Sequence, residues 1–328
     1  MADKSSIEWT DATWNPIVGC SIVSPGCTNC YAMKMAARIE AMGNAHHYDG
    51  TTKSSKAGAV WTGKLALAPE KTLLAPLRWK EPRRIFVNSM GDLFHEDAPD
   101  EWIDRVFAVM ALAPQHTFQV LTKRAHRMRD YLIARNGMGN SALCDAINEI
   151  PARMGNRRGA LEMPLPNVWL GVSTERQQEA EERIPLLLET PAAVRFISAE
   201  PLLGAINLRR FLTGHEENGI DLSREAGSMI GGCIGWTPPL DWIIVGGESG
   251  PGARSMQIEW AADILDQCRK ADIACFMKQL GARPRKNVTT TDGEYIKTVD
   301  VKMADRAGGD IQEWPGAMRV REFPEAHA

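Results

Sequence analysis

Short, unbroken apolar runs recur along the chain, each closing on a polar or charged residue and most leading into a segment of helical period. The first strand is expected over residues 14–18, followed by a cysteine-bearing loop and a helix over 31–42. The second covers 84–88 and ends in Ser89, Gly91 and Asp92, ahead of a helix near 99–113. Pro99 suits the first turn of that helix, and Asp100, Glu101 and Asp104 favour its positive end. Further strands are expected at 117–121, 168–172, 194–198, 242–245 and 273–277. They close on Thr122-Lys123-Arg124, Ser173-Thr174-Glu175, Glu200-Pro201, the run Gly246-Gly247-Glu248-Ser249-Gly250, and Lys278-Gln279, respectively.

Strands alternating with helices predict a parallel sheet, and strands apolar throughout predict one covered on both faces. About seven such units make a partial or complete TIM-type (β/α) barrel. An open doubly wound sheet is the alternative. The barrel is favoured because nearly every strand ends in polar groups, which a barrel gathers on one face and an open sheet concentrates at one switch point. Long polar or Gly-rich stretches at 44–68, 136–166 and 206–239 interrupt the rhythm as insertions, candidates for lids over the barrel mouth. Residues 1–280 are assigned to the barrel domain and 281–328 to a C-terminal extension without a clear pattern.

Composition narrows the class only slightly. A net charge of −3 over 328 residues leaves any nucleic-acid contact to a local patch. No apolar run reaches membrane-spanning length, and the first residues lack an apolar leader segment, so a cytoplasmic protein without membrane association is expected. Nothing in the pattern specifies an oligomeric state.

The cysteines change the picture more. Of seven, Cys20, Cys27 and Cys30 lie within eleven residues, on a loop tightened by Gly19, Pro25 and Gly26 between a strand and a helix. Structural zinc wants four ligands, and only His46 and His47, beyond the helix, are near in sequence. An iron–sulfur cube normally takes four thiolates as well, so three from protein leave one iron open. A zinc knot, three reduced thiols and an open-iron [4Fe–4S] cluster are all compatible with this loop.

The blocks around 14–31, 84–96, 117–124, 167–175, 195–204 and 242–254 resemble a phage- and bacterium-associated family of unknown function often placed with the radical S-adenosylmethionine superfamily. A weaker similarity, at Thr122-Lys123, Val172-Ser173 and Glu182-Arg183, is to DNA repair enzymes of the spore photoproduct lyase type. Six residues separate Cys20 from Cys27, where most of the superfamily has three, and Tyr31 follows the third cysteine instead of preceding it. The resemblance implies a [4Fe–4S] cluster on Cys20, Cys27 and Cys30, with S-adenosylmethionine on the open iron. It also implies an electron donor such as flavodoxin or ferredoxin.

On that resemblance the turn Ser89-Met90-Gly91-Asp92 meets the cofactor's amino group, Gly91 allowing close approach and Asp92 or Ser89 accepting a hydrogen bond. Tyr31, Ser173, Glu175, Gly246, Gly247, Glu248 and Ser249 complete the expected cofactor contacts, the glycine turn as an anion nest. Lys123, Glu200 and Asp92 are the candidate catalytic groups, with Glu175, Glu248 and Lys278 expected at the same mouth. His95 is a further acid–base candidate.

The expected substrate is a nucleic acid, modified or repaired by hydrogen abstraction from a base. Basic residues Arg124, His126, Arg127 and Arg129, Arg153, Arg157 and Arg158, and Arg283, Arg285 and Lys286 are candidate phosphate contacts. Trp9, Trp14 and Trp61 have the size to stack on bases, although core positions suit them better. The rival classes are a non-catalytic, metal-stabilised nucleic-acid-binding module and a radical enzyme acting on a peptide or small metabolite.

Overall fold

The computed structural model describes residues 5–56, 58–136, 141–151, 154, 161, 163–212, 240–289 and 296–325. Its elements run β1 (Ala12–Trp14), β2 (Ile17–Val18), α1 (Tyr31–Ala41), β3 (Thr52–Ser55), β4 (Gly58–Trp61), β5 (Ala66–Leu67), α2 (Glu70–Leu73), β6 (Arg84–Val87), α3 (Asp100–Leu112), β7 (Thr117–Thr122), α4 (Ala125–Arg135) and α5 (Ser141–Glu149). There follow β8 (Val168–Ser173), α6 (Gln177–Glu189), β9 (Val194–Ala199), α7 (Arg209–Leu212), β10 (Trp242–Gly246), β11 (Met256–Gln257), α8 (Ile258–Ala271), β12 (Ala274–Gln279), β13 (Pro284–Thr289) and β14 (Ile296–Asp300). The fold is mixed α/β around a seven-stranded parallel sheet of order β1-β6-β7-β8-β9-β10-β12. Every residue of β8 and β10 is buried, as expected of strands apolar along their whole length.

Two compact units divide the chain, residues 1–171 with 190–193 and residues 172–189 with 194–326. In the first, β1 pairs with β6 and β6 with β7. Pro99 caps α3 from just outside the helix, with Asp100 and Glu101 in its first turn. The single strand expected over 14–18 is two. Pro16 offers no N–H for a ladder, and the chain turns there, so β2 leaves the main sheet and pairs antiparallel with β5. The stretch 44–68 is more ordered than its composition suggests. It forms the β3–β4 hairpin and β5, and packs Tyr48 and Trp61 with Val18, Ala32, Met33, Ala36 and Met90 into a small core beneath the cysteine loop. Part of the stretch 136–166 is likewise helical, as α5.

In the second unit β9, β10 and β12 pair in parallel. Helix α8 ends where Asp272 adopts φ +57°, with Arg269 and Lys270 in its last turn suited to the negative helix end. Residues beyond 281 form β13 and β14, paired antiparallel, and then return to the sheet. The Met277 amide donates to the Val320 carbonyl at 2.9 Å, and the Cys275 amide to Glu322 Oε2 at 3.1 Å. Most of the stretch 206–239 lies outside the described residues.

Candidate functional site

The cysteine loop owes its path to two glycines. Gly19 has φ +95°, and a Cβ there would lie 2.1 Å from the Lys64 carbonyl oxygen. Gly91 packs so tightly that a Cβ would stand 2.9 Å from the Gly19 and Ile17 carbonyl oxygens. Gly91 therefore permits close approach of the chain's own backbone. After Gly19 the chain makes a short 3-10 turn at Pro25–Cys27, closed by the Cys27 amide on the Ser24 carbonyl at 3.0 Å and the Cys30 amide on the Cys27 carbonyl at 3.2 Å. Cys30 then occupies the N-cap of α1.

None of the three cysteines is in a disulfide; Cys27 is buried and Cys20 and Cys30 half-buried, the latter two packed on the small core. Burial pushes the Cys20 thiol up to about 12, the Asp92 charge adding to this and Arg124 opposing it. Burial also raises Cys30, against the amides of Met33 and Ala32 at the head of α1 and the charge of Lys123. Cys27 is close enough to act on both neighbours electrostatically. A metal binding here would displace the protons that burial favours on Cys20 and Cys30.

Arg124 and Asp92 organise the surroundings. Asp92 is 5% exposed and accepts four hydrogen bonds: from Thr122 Oγ1 at 2.6 Å, Phe94 N at 3.0 Å, Lys123 N at 3.1 Å and Arg124 Nη1 at 3.0 Å. Its two oxygens are thus engaged by protein donors, which tie it to the end of β7 and to Arg124. Arg124, a candidate phosphate contact by sequence, is buried and reaches inward to the cysteine loop. Its Nη1 donates to Cys20 Sγ at 3.5 Å, its Nη2 to Ser21 Oγ at 2.6 Å and Ser21 O at 3.3 Å, and its Nε to Glu96 Oε2 at 2.9 Å. His95, also buried, accepts from the Asp97 amide on Nδ1 at 3.1 Å, so its proton sits on Nε2, 2.9 Å from Ser21 Oγ. Burial, and secondarily the Arg124 charge, hold the His95 pKa below the ordinary imidazole value. That leaves His95 a neutral donor to the loop.

Tyr31 and Ser89 meet: the Tyr31 hydroxyl donates to the Ser89 carbonyl at 2.9 Å, while its ring is exposed. Asn15, missed in the sequence, fixes this turn. Its Oδ1 accepts from Ser89 Oγ at 3.1 Å and Met90 N at 2.9 Å. Ser21, Glu96 and Asn15 are polar residues at a strand end or in the cysteine loop. Only Ser21, adjacent to Cys20, carries a positional signal.

The remaining candidates lie in the second unit and form separate groups. Glu175 is fully buried and pairs with Arg183 Nη1 at 3.0 Å, and the same nitrogen donates to the Ser173 carbonyl at 2.7 Å. Glu248 is clamped by Arg254, whose N and Nη2 each lie 2.7 Å from its carboxylate. Glu200 pairs with Lys278 at 3.1 Å and accepts from Ser198 Oγ at 3.2 Å. Gly246 makes room for that carboxylate, since a Cβ would lie 2.4 Å from Glu200 Oε1. The Gly247 amide donates to the Gln279 carbonyl at 2.9 Å, so this amide of the expected anion nest is already engaged. Ser249 is exposed at the turn.

In the basic cluster after β7 only Arg124 is buried; Arg127 and Arg129 are half-buried and His126 is exposed. Arg127 pairs with Asp100, and Arg129 with Asp130 at 2.9 Å. Arg153, Arg157 and Arg158 lie outside the described residues. Trp9, Trp14 and Trp61 are core residues.

Among the described residues no group of three His, Cys, Asp or Glu side chains is placed to hold a metal ion, and no helix is long and apolar enough to cross a membrane. Neither a curated protein nor a solved structure matches the chain. One family model does match, that of DUF5131, a protein family of unknown function, over residues 4–312, and the chain belongs to that family.

Proposed function

We propose that this chain is a radical S-adenosylmethionine enzyme built on a partial TIM-type barrel, with Cys20, Cys27 and Cys30 as ligands of a [4Fe–4S] cluster. The observation that carries the reading is the cysteine loop itself: three cysteines on one strand-to-helix connection, with a buried guanidinium donating to one of them. The donor set fits the group. It is all sulfur, and a cube takes each thiolate on a different iron, so its ligands stand farther apart than those of a single ion. Three ligands also leave a fourth position, where the amino and carboxylate groups of S-adenosylmethionine would bind. The chemistry supplied when both are bound is one-electron reduction of a sulfonium.

The chain's own contribution is positional. Asn15 and Tyr31 fix the Ser89 turn, whose carbonyl and hydroxyl lie beside the head of α1. Asp92, through Thr122 and Arg124, fixes the end of β7 and so places Lys123 near Cys30. Electrons would come from a cytoplasmic donor such as flavodoxin or ferredoxin. A nucleic-acid substrate is supported by a different set of cations from the one the sequence suggests. Lys34 and Arg38 on α1 and Lys53 and Lys56 on the β3–β4 hairpin are all exposed, open to phosphate from solvent.

The test is turnover. Anaerobic protein with a full complement of iron, reduced with dithionite and given S-adenosylmethionine, forms 5′-deoxyadenosine, and the Cys20→Ala, Cys27→Ala and Cys30→Ala variants form none. Iron-loaded wild-type protein that forms none, with single-stranded DNA or RNA present or absent, contradicts the proposal.

A further inference from the structure

Arg124 uses its whole hydrogen-bonding capacity at one place. A guanidinium has five N–H groups in a rigid planar fork, and five acceptors surround this one: Glu96 Oε2, Asp92 Oδ2, Cys20 Sγ, Ser21 O and Ser21 Oγ. Only one of these is a sulfur, and that sulfur belongs to the first cysteine of the loop. Burying an arginine is costly unless its charge is compensated. The chain compensates it with Asp92, which is itself held by Thr122 Oγ1 at 2.6 Å and two backbone amides. The Arg124 backbone is fixed too, its amide donating to Thr122 Oγ1 at 2.9 Å. On the far side, Ser21 Oγ is held between Arg124 Nη2 and His95 Nε2. A plain structural salt bridge needs none of the contacts to residues 20 and 21. The arrangement fixes a permanent positive charge and an N–H donor against Cys20.

We propose that Arg124 is a positioning and tuning residue for the metal centre, orienting Cys20 and stabilising negative charge on its sulfur. The inference rests on the proposed cluster and concerns which residue sets its redox behaviour. Hydrogen bonds and positive charge at a ligand sulfur favour the reduced, more negative state of an iron–sulfur centre and raise its potential. Arg124 is placed to do both at Cys20, and its charge is permanent over the physiological pH range. Lysine would keep the charge but lose the fork that reaches Asp92, Ser21 and Cys20 together.

The experiment is an anaerobic redox titration of the iron-loaded protein followed by electron paramagnetic resonance, with iron and sulfide counted in each sample. Three proteins are compared: wild type, Arg124→Lys, and the double variant Asp92→Asn with Arg124→Met. The double variant removes both buried charges together, so no lone charge is left to unfold the site. The double variant should titrate at a more negative potential, its reduction equilibrium at least tenfold less favourable, which is about 59 mV for one electron. Arg124→Lys should fall between the two. Equal potentials at equal iron content overturn the inference and leave the cluster proposal standing. Equal iron loss in both variants, with the fold intact by circular dichroism, also overturns it, because arginine then acts only as structural support. Wild-type protein without iron overturns the cluster proposal and this inference with it.

Discussion

Asp92 and Arg124 meet at 3.0 Å with both side chains almost wholly shielded from water. Breaking a buried pair from one side is costly because the other charge stays behind. Asp92→Ala should therefore destabilise the protein by about 3–5 kcal/mol, as measured by urea unfolding. The charge-free pair Asp92→Asn with Arg124→Met should lose less than Asp92→Ala alone. A loss in the double variant equal to that of the single one would mean that the pair is not the source of the effect.

The loop's dependence on glycine is equally specific. Gly19 and Gly43 both have positive φ, +95° and +68°, but a Cβ would strike Lys64 at Gly19 and meet nothing within 4 Å at Gly43. Gly43→Ala should cost about 1–2 kcal/mol, the backbone strain alone. Gly19→Ala carries the same strain plus a backbone clash and should cost clearly more. Thermal unfolding of the two variants side by side distinguishes them, and equal losses would contradict the close approach of residues 19 and 64.

How much of this is legible in the sequence differs by element. The strands that enter the sheet are mostly apolar and bounded by polar turns, so their order along the chain can be read from pattern alone. The split at Pro16 and the ordered hairpin within 44–68 cannot, because β2, β5 and the hairpin gain their stability from Tyr48 and Trp61 packing beneath the cysteine loop, where segments far apart in sequence meet. The same holds for the site. Three clustered cysteines announce themselves, whereas Arg124 reads as one of a basic group after β7. Its burial depends on Asp92, a residue 32 positions away. Gly91 is legible as a place of close approach, but the approaching partner is the chain itself.

Two buried histidines give the protein a defined response to acid. Burial holds both His95 and His116 below the ordinary imidazole pKa, aided at His95 by the Arg124 charge and at His116 by that of Arg83. In the unfolded chain both protonate near pH 6.5 (about the free value), while in the folded chain they resist it. Their contribution to stability is therefore fully present above about pH 6.5 and is lost as pH falls toward the folded values. Unfolding free energy should decline as pH falls below about 6.5. His116→Gln, which keeps a donor for the Pro76 carbonyl now 3.1 Å from Nε2, should make that drop shallower. Parallel curves for the two proteins would exclude His116 as a contributor.

The nucleic-acid reading predicts which cations matter. Binding to single-stranded DNA should weaken with salt. Replacing Lys53 and Lys56 by Ala should reduce the slope of log affinity against log salt by up to about 1.4, roughly 0.7 for each phosphate no longer neutralised on a single strand. Arg127→Ala with Arg129→Ala should change the slope little, because those side chains are paired with Asp100 and Asp130. The reverse ranking would return the phosphate contact to the basic group after β7, whereas wild-type protein that does not bind favours a peptide or small-metabolite substrate.

Whether Cys20, Cys27 and Cys30 hold an iron–sulfur cluster is decided by the metal and sulfide content of protein purified without oxygen. The protein should be brown, with about four irons and four sulfides per chain, most of which disappear when any one of the three cysteines is replaced by Ala. Colourless protein carrying one zinc per chain, absent from the same variants, would contradict the cluster and leave a structural metal knot in place of a redox centre.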